Sequence, residues 1–350
     1  MRRRTWITAF ILLAVLAALA VAIYLRSKAP PEAARLLPEA DAIVYINLKP
    51  LRTLTHFDRH PVPHDADYQA FINATGIQFE RDLDEVAFAI HRMPDDRGPN
   101  GPVAYSEIFI GRFDGGRLTQ YLTTQAADSA SYAGHTVYRI PHDGRNVRVA
   151  VLGYDVVAVS NTPTPEQIHS MIDRYHTAAS PFSGPTLLAD HYHDVPLLAQ
   201  VWGIGKIGLP FATGHNLSLM GVPIPLPVDT TFIASVRYLG SLHLRIEEIA
   251  PTADSARGTT QVANTVLQLL RSGLIGNATQ GTAQGPSPDA TLANWAAVLR
   301  TATVQQHGNR AILQAVIPVG LLQDLFSPDK ENGNESTSPA TGNSSDPQKQ

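Results

Sequence analysis

Read by the spacing of its hydrophobic positions, the chain begins with one long apolar run. Trp6 to Leu25 contains a single clearly polar side chain, Thr8. From residue 41 onward the hydrophobic period alternates between two and 3.6, the signatures of strand and helix. Asp41-Ala-Ile-Val-Tyr-Ile-Asn-Leu48 is apolar on both faces, as a central strand would be. Residues 85–91 and 105–113 alternate, with Val86, Phe88 and Ile90 on one face. Asp114-Gly115-Gly116 opens a helix carrying Leu118, Tyr121 and Leu122. Residues 136–141 and 147–160 predict two or three strands, turning near Asp143-Gly144 and Gly153. Thr162-Pro-Thr-Pro-Glu166 reads as a helix start, with Thr162 as N-cap, proline in the first turn and an acid favoured by the dipole. Ile168, Met171, Ile172 and Tyr175 follow at helical spacing.

The second half repeats this grammar. Residues 231–249 predict a hairpin turning at Gly240-Ser241. A helix follows from about Ser255, with Val262, Val266, Leu269 and Leu270 on one face and Gly273 closing it. Leu292, Trp295 and Leu299 mark another helix, residues 303–317 a hairpin around Gly308-Asn309, and Leu321, Leu322 and Leu325 a final short helix. Strand, strand, helix recurs about four times, over residues 84–125, 135–176, 230–272 and 301–326. Hairpins feeding helices imply an α+β fold of antiparallel sheets with helices on one face. Ser180-Pro-Phe-Ser-Gly-Pro185 divides it into halves at 36–185 and 186–327. Residues 26–35, with Pro30 and Pro31, read as a linker, and 328–350, without aromatic or branched aliphatic residues, as a disordered tail.

At about 1.5 Å rise per residue the run 6–25 is long enough to cross the roughly 30 Å hydrocarbon core of a bilayer. Arg2, Arg3 and Arg4 precede it and Arg26 and Lys28 follow, which places residues 1–5 in the cytoplasm and exports the rest. Ala18-Leu19-Ala20 also has the form of a signal-peptidase site, but the apolar run continues to Leu25, longer than a usual signal sequence. The expectation is one uncleaved transmembrane helix and a periplasmic or cell-surface domain.

Composition narrows the chemistry. Cysteine is absent from all 350 residues, which excludes thiol enzymes, iron–sulfur proteins, disulfide-stapled scaffolds and Cys-ligated zinc modules. The net charge is −4. Five of the 27 basic residues lie in the first 28 positions, which hold no acid, so the remainder carries 22 basic and 31 acidic residues, a net of −9. Such a domain is repelled by nucleic acid and anionic lipid alike.

Gly203-Ile-Gly205-Lys-Ile-Gly208 matches a dinucleotide fingerprint on paper, yet Leu209-Pro210-Phe211 follows where a helix must start, so it reads as a glycine-rich turn. A Walker loop needs Ser or Thr after Lys206, and Ile207 stands there. No Gly-x-Ser-x-Gly or His-Glu-x-x-His occurs, and no cofactor is implied. His56, His60 and His64 fall at four-residue intervals beside Asp58, Asp65 and Asp67 and are the candidate metal ligands, although Pro61 and Pro63 break any helix that would stack them. His191, His193 and Asp194 form a second such group. Glu247 and Glu248 point to opposite faces of a strand and read as solvated rather than as an acid–base pair. The stretch 203–227 is long, apolar and rich in glycine and proline, with Lys206 its only charge, and suits a partner, an apolar ligand or a structural crossing.

The segment Leu36-Leu-Pro-Glu-Ala-Asp-Ala-Ile-Val-Tyr-Ile-Asn-Leu48, just after the apolar run, resembles the start of uncharacterised bacterial membrane-anchored envelope proteins, which open with a Leu-Pro-x-Asp/Glu-Ala turn into a hydrophobic strand. Thr75-Gly-Ile-Gln-Phe-Glu-Arg-Asp-Leu-Asp84 is similar to members from soil bacteria. The resemblance implies an extracytoplasmic α+β domain and carries no activity. Three functions fit these observations: a membrane-anchored, non-catalytic binding or scaffolding domain with an envelope protein or apolar ligand as partner, a metal-dependent enzyme built on His56 to Asp67, and a carrier of an apolar or lipid-like ligand.

Overall fold

A computed structural model describes residues 29–55, 58, 64–95, 97–98, 100–177, 183–206, 212–213, 216–219, 222–225, 230–279 and 290–318, together with Leu13 and Leu16. The tail 328–350, the helix expected at 321–325, His56, His60 and all of the apolar run except Leu13 and Leu16 lie outside the described residues. Among those described, no helix is long and apolar enough to cross a membrane.

The fold is α+β, built on one antiparallel sheet of twelve strands. The first half supplies β1 (Ala42–Asn47), β2 (Leu83–Arg92), β3 (Val103–Gly111), β4 (Asp128–Tyr132), β5 (His135–His142), β6 (Arg145–Val151) and β7 (Val156–Ser160). The second supplies β8 (Val201–Lys206), then β9 (Ala212–Thr213), β10 (Asn216–Leu219) and β11 (Val222–Pro225) as a separate small sheet, then β12 (Thr231–Tyr238), β13 (Leu242–Ile249), β14 (Thr303–His307) and β15 (Arg310–Ile317). The helices are α1 (Glu32–Arg35), α2 (Leu48–Thr55), α3 (Ala66–Thr75), α4 (Phe79–Asp82), α5 (Gly115–Gln125), α6 (Glu166–His176), α7 (Thr186–His191), α8 (Ala253–Thr279) and α9 (Ala290–Thr301).

In the main sheet β1 and β8 lie side by side at the junction of the halves, with Val44 opposite Gly203. Outward from that pair the order is β2, β3, β7, β6 on one side and β12, β13, β15, β14 on the other, with β5 and β4 extending the first. On both sides the second strand outward, β3 or β13, leads into a helical segment before the chain returns beside it as β7 or β15. Strands β1, β3, β6, β12 and β15 finish at one end of the sheet, where β2, β7, β8 and β13 begin; we call this the near end.

Strand alternation explains the two cores. Ile43, Tyr45, Ala87, Ala89, Ile108, Ala158, Trp202, Ile204 and Ile233 share one face and pack with Ala33 and Ala34 of α1, Ile168, Met171 and Ile172 of α6, and Leu187 and Leu188 of α7. Val149 and Val157 face the other way, onto Leu118 and Leu122 of α5 and Phe71 of α3. On that same face Ala315 and Val304 meet Leu267, Val298 and Leu299 of α8 and α9. Helices therefore cover both faces, not the single one expected: strands apolar on both sides, such as β1, need cover on both sides.

Local signals mostly hold. Asp114 caps α5, its Oδ1 accepting from the backbone N–H groups of Gly116 and Arg117 at 3.1 Å each. Helix α6 starts later than expected, at Glu166, because Thr162 is drawn into a buried chain with Ser160. Helix α8 runs through Gly273 to Thr279. The Gly203–Gly205 segment is not a turn: it is β8, paired on both edges with β1 and β12.

Candidate functional site

Of the three candidate metal ligands, the structure places His64. It precedes α3, whose N-cap Asp65 accepts from Tyr68 N at 2.7 Å. The His64 Nε2 lies 3.0 Å from Glu80 Oε1, and the Tyr68 hydroxyl donates to Glu80 Oε2 at 2.9 Å while accepting from Phe79 N at 2.7 Å. Burial works to raise the Glu80 carboxyl, but its backbone hydrogen bond and those from His64 and Tyr68 outweigh it and hold it below its ordinary range. The Tyr68 hydroxyl moves the other way, pushed up to about 12 by burial and by the Glu80 carboxylate. A cation at His64 Nε2 has to displace Glu80 or share it. Among the described residues, no group of three or more His, Asp or Glu side chains converges in metal-binding geometry.

The second histidine group is brought together, around a different partner. Asp194 Oδ1 accepts from Arg310 Nη1 at 2.8 Å, and its Oδ2 lies 3.4 Å from His193 Nε2 and 3.9 Å from His191 Nδ1. The same Arg310 nitrogen reaches Glu247 Oε1 at 2.5 Å, and Arg245 Nη2 reaches Glu247 Oε2 at 2.6 Å. The chain Asp194–Arg310–Glu247–Arg245 clamps the turn before β8 to β13 and β15. Its hydrogen bonds to Asp194 and Glu247 hold the Arg310 guanidinium above its ordinary value.

Glu247 and Glu248 do occupy opposite faces, but neither is solvated; both are 2% exposed. Glu248 accepts from Thr259 Oγ1 of α8 at 3.1 Å and its Oε2 has no partner. Burial pushes its carboxyl up to about 7. Burial likewise raises Glu107, in the middle of β3 opposite Phe88 and Val159, to about 7.

One polar constellation left only a faint trace in the sequence. His91 Nε2 lies 2.9 Å from Ser106 Oγ, which is 3.2 Å from Ser160 Oγ, itself 2.9 Å from Thr162 Oγ1. A Ser–His pair is the start of a nucleophilic site. Here Ser106 is fully buried and Ser160 is 1% exposed, so no substrate reaches either oxygen. Desolvation by burial lowers the His91 imidazole below its ordinary value. The chain is a polar seam tying β2, β3 and β7 together; its trace in the sequence is a serine at each of two otherwise apolar inward positions.

At the near end, Tyr45 stacks on Trp202 with ring centroids 5.3 Å apart, and Tyr192 meets Trp202 edge-on at 5.4 Å. Above them the turn Pro196–Ala199, closed by Ala199 N donating to Pro196 O at 3.2 Å, borders a shallow pocket of about 130 Å³. Cavities that enclose a drug-sized ligand run from roughly 300 Å³ upward. Leu197 and Leu198 at the apex of this turn are 47% and 75% exposed.

No protein-family model matches the chain, and no curated protein matches it. Among solved structures it is similar to TP0453 in crystal form IV, at 12% identity over 85% of this chain and 96% of that one, with a TM-score of 0.44. Crystal form III of TP0453 gives 13% identity over 85% and 98%, with a TM-score of 0.41.

Proposed function

We propose that the protein is a single-pass, membrane-anchored domain that lies outside the cytoplasm and binds or scaffolds an envelope partner without catalysing a reaction. The observation that carries this reading is the apolar run Trp6 to Leu25, framed by Arg2, Arg3 and Arg4 on one side and Arg26 and Lys28 on the other. The resemblance of residues 36–48 to the start of bacterial envelope proteins supports it, as does the net of −9 beyond residue 28. The titratable clusters at Glu80, Glu247 and His91 spend their hydrogen bonds on one another and on the backbone, which suits a structural role. We take the recurring strand–strand–helix segments as four related units, two in each half.

A carrier function is the second reading. Val44, Phe88, Gly203 and Ala234 form a half-buried apolar strip across β2, β1, β8 and β12, on the face that α5 and α8 cover further out. Native mass spectrometry of the detergent-extracted protein separates the two, since a carrier retains stoichiometric lipid. The anchor is tested by alkaline extraction and N-terminal sequencing. Retention in the membrane with residues 1–20 intact is the expected result, whereas a mature N-terminus at Val21 refutes it.

A further inference from the structure

At the near end Phe79, Tyr154, Leu197, Leu198 and Leu239 are all exposed, Tyr154 to 90% and Leu198 to 75%. At the opposite end the turns at the tips of the strands present the polar residues Asp95, Arg97, His142, Asp143 and Asn309.

Leu198 is the sharpest case. It occupies the third position of the Pro196–Ala199 turn with φ +64°, a left-handed conformation that glycine or asparagine adopts with far less strain. A branched apolar side chain in strained backbone, three-quarters in water, is unfavourable twice over. Gln200 ties this turn to the end of β12, just before Leu239: its N–H donates to Val236 O at 3.0 Å, and its Oε1 accepts from Tyr238 N at 2.8 Å. Leu197, Leu198 and Leu239 thus project from neighbouring turns at the same end of the sheet.

The chain also enters the domain at this end. Glu32, the first residue of α1, acts electrostatically on Glu85 at the start of β2 and on Tyr175, whose hydroxyl closes on Gly153 beside Tyr154. Seven residue steps lead from Leu25 to Glu32, a reach of at most about 24 Å at roughly 3.4 Å per residue. The near end is therefore tethered within a short distance of the apolar run.

We propose that the Leu197–Leu198 turn and Leu239 insert into the interfacial layer of a neutral lipid surface, so that the domain stands on the membrane with the near end down. The inference rests on the reading of residues 6–25 as a membrane anchor. Neutral lipid is the occupant because the turn 196–199 carries no charge and the chain beyond the run is acidic.

The absence of cysteine makes the test clean. Single-cysteine variants Leu198→Cys, Leu239→Cys and His142→Cys of the full chain, each carrying a fluorophore, are reconstituted into phosphatidylcholine vesicles with and without shallow spin-labelled lipid. A residue lying about 5–10 Å into the interface is quenched strongly, by about two-fold or more, at Leu198 and Leu239, while His142 at the far end stays unquenched. All three positions are exposed, and near-ultraviolet circular dichroism confirms that each variant is folded. If the protein floats with the vesicles but the two leucine positions are quenched no more than His142, the lipid contact is refuted and the anchor stands. If it does not float at all, the anchor reading fails and the inference falls with it.

Discussion

Replacing Glu248 with glutamine should stabilise the protein, and only above a definite pH. Glu248 is 2% exposed beneath α8, with one oxygen bonded to Thr259 and the other without a partner. Burial raises its pKa from 4.5 to about 7, so between those values the folded state holds a proton that the unfolded chain releases. Stability therefore falls as pH rises through that window, and is unaffected below it. At 1.36 kcal/mol per unit, the full cost above pH 7 is about 3 kcal/mol. Glutamine keeps the shape and the Thr259 contact but has no charge to bury. Urea unfolding of the detergent-solubilised protein, followed by the fluorescence of the buried Trp202, measures the difference between the two forms. We expect no difference near pH 4, growing to about 3 kcal/mol in favour of Glu248→Gln near pH 8. A difference that stays flat from pH 4 to 8 would refute the claim that this carboxyl is buried at a cost.

Two further substitutions probe the frame. Arg310→Ala removes the shared partner of the Asp194 and Glu247 carboxylates, leaving Glu247 on Arg245 alone, and should cost about 3 kcal/mol in the same unfolding assay, whereas Arg310→Lys should recover part of that loss. Gly111→Ala drives a methyl group into the Asp82 carbonyl at the bulge where β2 and β3 shift register. It should lower stability by about 2 kcal/mol or more, and a neutral result would mean that the bulge relaxes freely.

The sequence conveyed those parts of this fold that are locally encoded. The strand at residues 42–47, the hairpin 231–249 and the Asp114 cap each announce themselves within a dozen residues, through alternation or a capping side chain. What it concealed depends on distant neighbours. Gly203 and Gly205 look like turn residues in isolation, yet β1 and β12 on either side extend them into the middle of a sheet. Glu247 looks solvated until Arg310, 63 residues away, comes to meet it, its guanidinium also held by Asp194, 116 residues from Arg310. The Ser106–Ser160 contact joins residues 54 apart and leaves only two small polar side chains as its trace. Strand β4, polar and largely exposed at the sheet's edge, has no apolar alternation to reveal it. Of the candidate ligands, His64 turns to Glu80, a partner sixteen residues away that no four-residue spacing suggests.

The central claim is that residues 6–25 hold a domain on the far side of the cytoplasmic membrane. The most direct measurement places one cysteine on each side of the run, Thr5→Cys and His142→Cys, in a chain that otherwise has none. His142 is 74% exposed, so its replacement is open to a thiol reagent that cannot cross the cytoplasmic membrane. In intact cells the account predicts labelling at position 142 and none at position 5 until the cells are lysed. Labelling at position 5 with protection at 142, or protection of both, would contradict it.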